Sequence, residues 1–139
     1  NLVLFCIWYG CRHGELTEDL LKTALETSDR WSETVVRPLR SLRSQLKRDL
    51  KESAYSSSSE ISVLRDRIKT AELDAERIQQ QELEKLIEQS VRKNSASVRG
   101  ERSTRRNLDK LAASRGAGLD TAVSGHFDNL VKLNRRLVN

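Results

Sequence analysis

Between Trp31 and Leu50 the apolar residues Trp31, Val35, Leu39, Leu42, Leu46 and Leu50 recur at intervals of four, four, three, four and four. An α-helix, with about 3.6 residues per turn, gathers such a series onto one face, whereas a strand would divide it between two. Pro38 falls inside the series without shifting its phase. A proline within a helix removes a backbone donor and costs about 3 kcal/mol. The expectation is therefore one helix, kinked at Pro38 and capped by Ser28 or Asp29, rather than two helices.

The same period runs through the rest of the chain. Ile61, Leu64, Ile68, Ala71, Ala75 and Ile78 alternate steps of three and four, the pattern of a heptad seam. Leu83, Leu86 with Ile87, and Val91 continue it after a break in register. A long helix is predicted over 60–93, opened by the capping-box spacing of Ser57 and Glu60 after a serine-rich linker at 53–59. The apolar run Leu2–Tyr9 is expected to be a helix ending near Gly10 or Gly14. Thr17 is then expected to cap a second helix that buries Leu20, Leu21, Ala24 and Leu25. After a loop at 94–102 come a short helix at 104–114, anchored only by Leu108 and Leu111, and a last helix from Asp120. That last helix carries Ala122, Val123, Phe127, Leu130, Leu133 and Leu137.

Aromatic residues make up 4% of the chain and charged residues 32%, too little β-forming composition for a sheet. The fold class is all-α, a helical bundle with one long helix and a kinked, proline-containing basic helix. Its expected core is Phe5, Trp8, Trp31, Val35, Leu39 and Leu42, with the long helix packed on it. Residues 1–94 are expected to form a helical domain, N-terminally incomplete because an apolar run begins at Asn1 without an initiator Met. Residues 95–139 are expected to be a basic linker and a C-terminal helix. The run Leu2–Tyr9 falls far short of the ~20 residues that cross a bilayer. Two cysteines five residues apart point to different faces of a helix, which disfavours a disulfide between them. A cytoplasmic protein without membrane attachment is expected.

Little in the sequence carries catalytic or metal chemistry. Cys6, Cys11 and His13 are close in sequence, and His126 is the other histidine. A closed zinc site takes four ligands, usually from CxxC-type pairs, so all of these would have to converge. Cys6 is better read as a small core residue and His13 as the cap of a helix end. No GxSxG, P-loop or GxGxxG pattern is present. The carboxylate pairs Glu72/Glu76 and Glu84/Glu88 are expected on an exposed helix face, without raised pKa values. The chain is read as non-enzymatic, with no catalytic residue, cofactor or metal.

Charge is the stronger signal. The net formal charge is +5, distributed in blocks. Residues 30–59 carry seven bases and three acids, 60–88 five bases and eight acids, and 89–115 eight bases and two acids. On the helix around Pro38, Arg40, Arg43, Lys47 and Lys51 are expected on the side opposite the apolar stripe, with Arg37 and Arg48 beside them. This side is read either as the solvated back of the helix or as a site for an anionic client: the acidic helix of the same chain, another protein, or nucleic acid. The second basic block, Arg92–Arg115, contains no Tyr, Phe or Trp on which bases could stack, leaving only phosphate contact.

The stretches NLVLFCIWYG, GELTEDLL, WSETVVRPLRSLRSQLK and IKTAELDAERIQQQELEKL together resemble an uncharacterised bacterial family, DUF2390. The resemblance covers roughly residues 1–90, and a Trp before VVRPLR is its most specific element. It implies an all-helical cytoplasmic protein and names no chemistry. The expected function is binding of a protein partner, or of a second copy, through Arg37, Arg40, Arg43, Lys47, Lys51, Ile61, Leu64 and Ile68. The alternative is a nucleic-acid-binding protein using the basic segments 37–51 and 92–115.

Overall fold

The computed structural model describes residues 1–52, 58–90 and 100–116, and among them there are helices and turns but no strand. The protein is all-α. In chain order the described elements are α1 (Leu2–Arg12), α2 (Glu18–Trp31), a π-helical turn (Ser32–Val36), α3 (Arg37–Lys51), α4 (Ser58–Ser90) and α5 (Glu101–Ser114). The helix expected from Asp120, the cap at Ser57 and the bases Arg92, Lys93 and Arg99 lie outside the described residues. The chain forms two compact units, one of Asn1–Leu25 with Glu84–Asn139 and one of Glu26–Leu83. The six residues expected to form one core are divided between them: Phe5 and Trp8 in the first, Trp31, Val35, Leu39 and Leu42 in the second.

In the first unit, α1 buries Leu2, Phe5, Cys6, Ile7 and Tyr9. It stops because Gly14 adopts φ +98°, a left-handed conformation that few other residues accept. The His13 and Gly14 N–H groups both donate to the Tyr9 carbonyl, at 2.7 and 3.1 Å. His13 thus caps α1, and its ring lies against Trp8 and Tyr9. Thr17 caps α2 as its sequence position predicts, its Oγ1 accepting from the Leu20 N–H at 3.2 Å. Leu20, Leu21 and Ala24 are buried, with Leu25 half-buried.

Helix α5 packs on α1 far more closely than two leucine anchors would achieve. Gly10 has no side chain, and Thr104 of α5 occupies the space where one would stand. The Gly10 carbonyl accepts from the Gly100 N–H at 2.9 Å. Asn107 is fully buried and spends its whole amide here. Its Nδ2 donates to Gly14 O (3.0 Å) and Cys6 O (3.3 Å), while Oδ1 accepts from Leu16 N–H (2.8 Å). Ser103, Thr104, Leu108, Leu111 and Ala112 complete the buried face.

In the second unit the chain stays helical through Pro38, with no cap at Ser28 or Asp29. The π-turn ends at Val36, two residues before the proline, and the Arg37 N–H closes it by donating to Ser32 O. A proline ring crowds the carbonyl four residues earlier, and the wider turn accommodates it without breaking the helix. Helix α4 runs back antiparallel, as three contacts show. Gln79 Nε2 donates to the Ser28 carbonyl (2.8 Å) and to its Oγ (3.0 Å). Trp31 Nε1 donates to Ala75 O at 2.8 Å. Arg40 and Arg43 meet Glu72.

Candidate protein-interaction surface

The charged side of the second unit is built from two spacings. Arg40 and Arg43 are three apart on α3, and Glu72 and Glu76 are four apart on α4, so each pair shares a helix face. Arg43 Nε donates to Glu72 Oε2 at 2.6 Å. Arg40 donates through Nε to Glu72 Oε1 at 2.9 Å and through Nη2 to Glu76 Oε1 at 2.7 Å. Glu72 is only 5% exposed. The hydrogen bond from Arg43 is the main influence that holds its carboxyl below the ordinary glutamate range, against the opposing effect of burial. Arg40 is correspondingly raised, chiefly by its bond to Glu72.

Two expectations about these residues change. Arg40 and Arg43 do not point away from the apolar stripe. At about 100° per residue, Arg43 lies only about 60° from Leu46, on the flank that faces α4. Glu72 is not a solvated carboxylate, because two guanidinium groups replace its water. The remaining basic candidates differ. Arg37 is exposed, 3.8 Å from Glu33, and Lys47 and Lys51 project into solvent. Further along the chain, three described bases of the second basic block are engaged within the first unit. Arg106 pairs with Glu15, Arg105 with Asp109 at 3.3 Å, and Lys110 donates to Leu16 O at 2.6 Å.

The apolar candidates also separate. Ile68 is buried and Ile61 half-buried, but Leu64 is 48% exposed. The buried line of α4 runs through Ile68, Glu72, Ala75, Gln79 and Leu83. That line keeps Ile68, Ala75 and Leu83 of the apolar seam read in the sequence but is rotated toward Glu72 and Gln79. Leu64, Ala71 and Ile78 consequently form an open ridge, with Ile78 38% exposed. Leu42 of α3, expected in the core, is 49% exposed, and α3 has no buried residue at all. In an antiparallel pair, Leu42 and this ridge lie on the same side, opposite the Arg–Glu cluster. Sequence reasoning saw Ala71 and Ile78 as part of a seam and Leu42 as core. The missed signal was that Glu72 and Gln79, also spaced by seven, had partners waiting in Arg43 and Ser28.

Among the described residues no group of three or more His, Cys, Asp or Glu side chains is placed to hold a metal ion. Cys6 is buried, which pushes its thiol up to about 12, an unreactive value. Cys11 Sγ lies 3.4 Å from Thr104 Oγ1, and neither cysteine is part of a disulfide. No helix of the described residues is long and apolar enough to cross a membrane. Residues 1–83 match the family described as protein of unknown function (DUF2390). No curated protein matches. No solved structure matches.

Proposed function

Because this chain belongs to the DUF2390 family, whose function is unknown, we infer its role from its own surface: it is a non-enzymatic helical module that binds another protein. The observation that carries this reading is the open apolar ridge of Leu64, Ala71 and Ile78, with Leu42 beside it. In a chain with 32% charged residues, apolar side chains left in a row on a regular helix mark a surface that gains from being covered. The charged groups best able to act as an anion site, Arg40 and Arg43, are already committed to Glu72 and Glu76. That favours a protein partner over nucleic acid. The reading places the protein in the cytoplasm, where cysteines outside a disulfide persist.

A second reading rests on Arg37, Lys47 and Lys51, exposed on α3, which could contact phosphates. One experiment separates the two: capture of partners from native lysate, with and without nuclease. A protein retained after nuclease, and lost when Leu64 and Ile78 are both replaced by Gln, supports the protein reading. Captured material that disappears with nuclease, and binding that weakens steeply with salt, would reject it in favour of phosphate contact.

A further inference from the structure

The ridge on α4 has an internal symmetry. Leu64 and Ile78 stand seven residues to either side of Ala71. All three are exposed, so two turns of helix on each side of a small central residue present one large apolar side chain. One pair of charges on a flank of the ridge follows the same symmetry with opposite signs. Arg67 lies four residues before Ala71 and Asp74 three residues after it, and both are exposed. Asp74 also accepts from Arg77 one turn on, at 3.1 Å, in a pair that is solvent-exposed and readily exchanged, unlike the Arg–Glu72 cluster. Arg67 and Asp74 occupy the same side of the ridge, one helical turn from their apolar neighbours.

A pattern that is symmetric in shape and antisymmetric in charge about one point is self-complementary under a twofold rotation. We propose that a second copy of this chain covers the ridge, with the two α4 helices antiparallel and crossing at Ala71. The rotation sets Leu64 against Ile78 of the partner subunit and, equally, Ile78 against the partner's Leu64. It sets Arg67 beside Asp74 of the partner subunit twice over. Alanine at the crossing lets the helix backbones approach, as small residues do wherever helices meet closely. A second copy supplies, in this one register, an apolar side chain opposite each apolar side chain and an opposite charge opposite Arg67 and Asp74. On the opposite side of the hairpin Arg40, Arg43, Glu72 and Glu76 satisfy one another, so the contact has a defined side. The inference rests on the protein-binding reading above and narrows it to self-association.

Charge exchange tests it. Sedimentation velocity of the full chain at micromolar concentration should show a dimer. Arg67→Asp places acid against acid at both symmetry-related contacts and should raise the dissociation constant roughly tenfold. Arg67→Asp combined with Asp74→Arg restores both pairs in reversed sense and should return the dimer. Ala71→Cys in a Cys11→Ser background should cross-link between copies on mild oxidation, while Leu73→Cys, on another face of α4, should not. A monomer throughout the concentration range overturns the proposal. So does a dimer that is indifferent to Arg67→Asp and whose Ala71→Cys variant stays uncross-linked. A monomer that still captures a different protein through Leu64 and Ile78 would overturn self-association while leaving the broader reading intact.

Discussion

Replacing Gly10 by Ala should destabilise the first unit, although the same change in an open helix would stabilise it. An alanine gains about 0.5–1 kcal/mol over glycine in a helix interior through lower backbone entropy in the unfolded chain. Here the added Cβ would stand 2.5 Å from Thr104 Cα, 2.6 Å from its N and 2.6 Å from its Oγ1. Two of those three atoms belong to the α5 backbone and cannot rotate aside. Restoring ordinary contact at 3.4 Å requires α5 to retreat by about 0.9 Å at this point. That loosens the bond from Gly100 N–H to Gly10 O and the Asn107 bonds to Gly14, Cys6 and Leu16. Overpacking typically costs about 1–3 kcal/mol, and a backbone obstacle belongs at the upper end. The clash therefore outweighs the propensity gain, with a net loss of about 2 kcal/mol. With a urea m-value of about 1–3 kcal/mol/M, the midpoint should fall by about 1 M. Urea unfolding followed by Trp8 fluorescence in a Trp31→Phe background reports on the α1 side. A Gly10→Ala midpoint equal to or above that of the parent would refute the close-approach argument.

Glu72 carries a pH signature. Its carboxyl is held below the ordinary glutamate value, so its contribution is fully present above 4.5 and is lost as pH falls through the folded value. Glu72→Gln should lower stability at pH 7 by about 1–3 kcal/mol, because Arg43 and Arg40 lose a charged acceptor, and should flatten the acid limb of a plot of melting temperature against pH. An unchanged acid limb would show that the carboxylate is not bound as described. Cys6 and Cys11 should separate in alkylation by iodoacetamide at pH 8. Cys6, buried with its thiol pushed up to about 12, should react only after unfolding. Mass spectrometry of the native protein showing Cys6 modified as fast as Cys11 would contradict its burial.

The helices themselves were legible. Thr17 followed by Glu18 and Asp19 marks the start of α2, and Thr17 Oγ1 does cap it. The apolar spacing from Ile61 to Ile87 predicts one long helix, and α4 is that helix. Pro38 was read as interior to a helix that continues, and it does, although the π-turn before it has no signal in hydropathy. The buried faces were less legible. On α4 the apolar count finds Ile68, Ala75, Leu83 and Ile87, which are buried, but it also selects Leu64, Ala71 and Ile78, which are exposed, and passes over Glu72 and Gln79, which are buried. On α5 it finds Leu108 and Leu111 but passes over Thr104 and Asn107, both fully enclosed.

Helix formation depends on neighbours within a turn or two: a cap, a period and the absence of an interrupting residue. Those were determined by the sequence alone, as was the opposition of a basic segment and an acidic one. Which side of each helix is covered depends on groups that arrive from far along the chain. Burying Glu72 is tolerable only because Arg43, 29 residues away, supplies a hydrogen bond. Burying Asn107 is tolerable only because Gly14 and Leu16, more than 90 residues away, present a carbonyl and an N–H. A polar residue's burial depends on its partners, and only the tertiary structure decided which residues those partners would be.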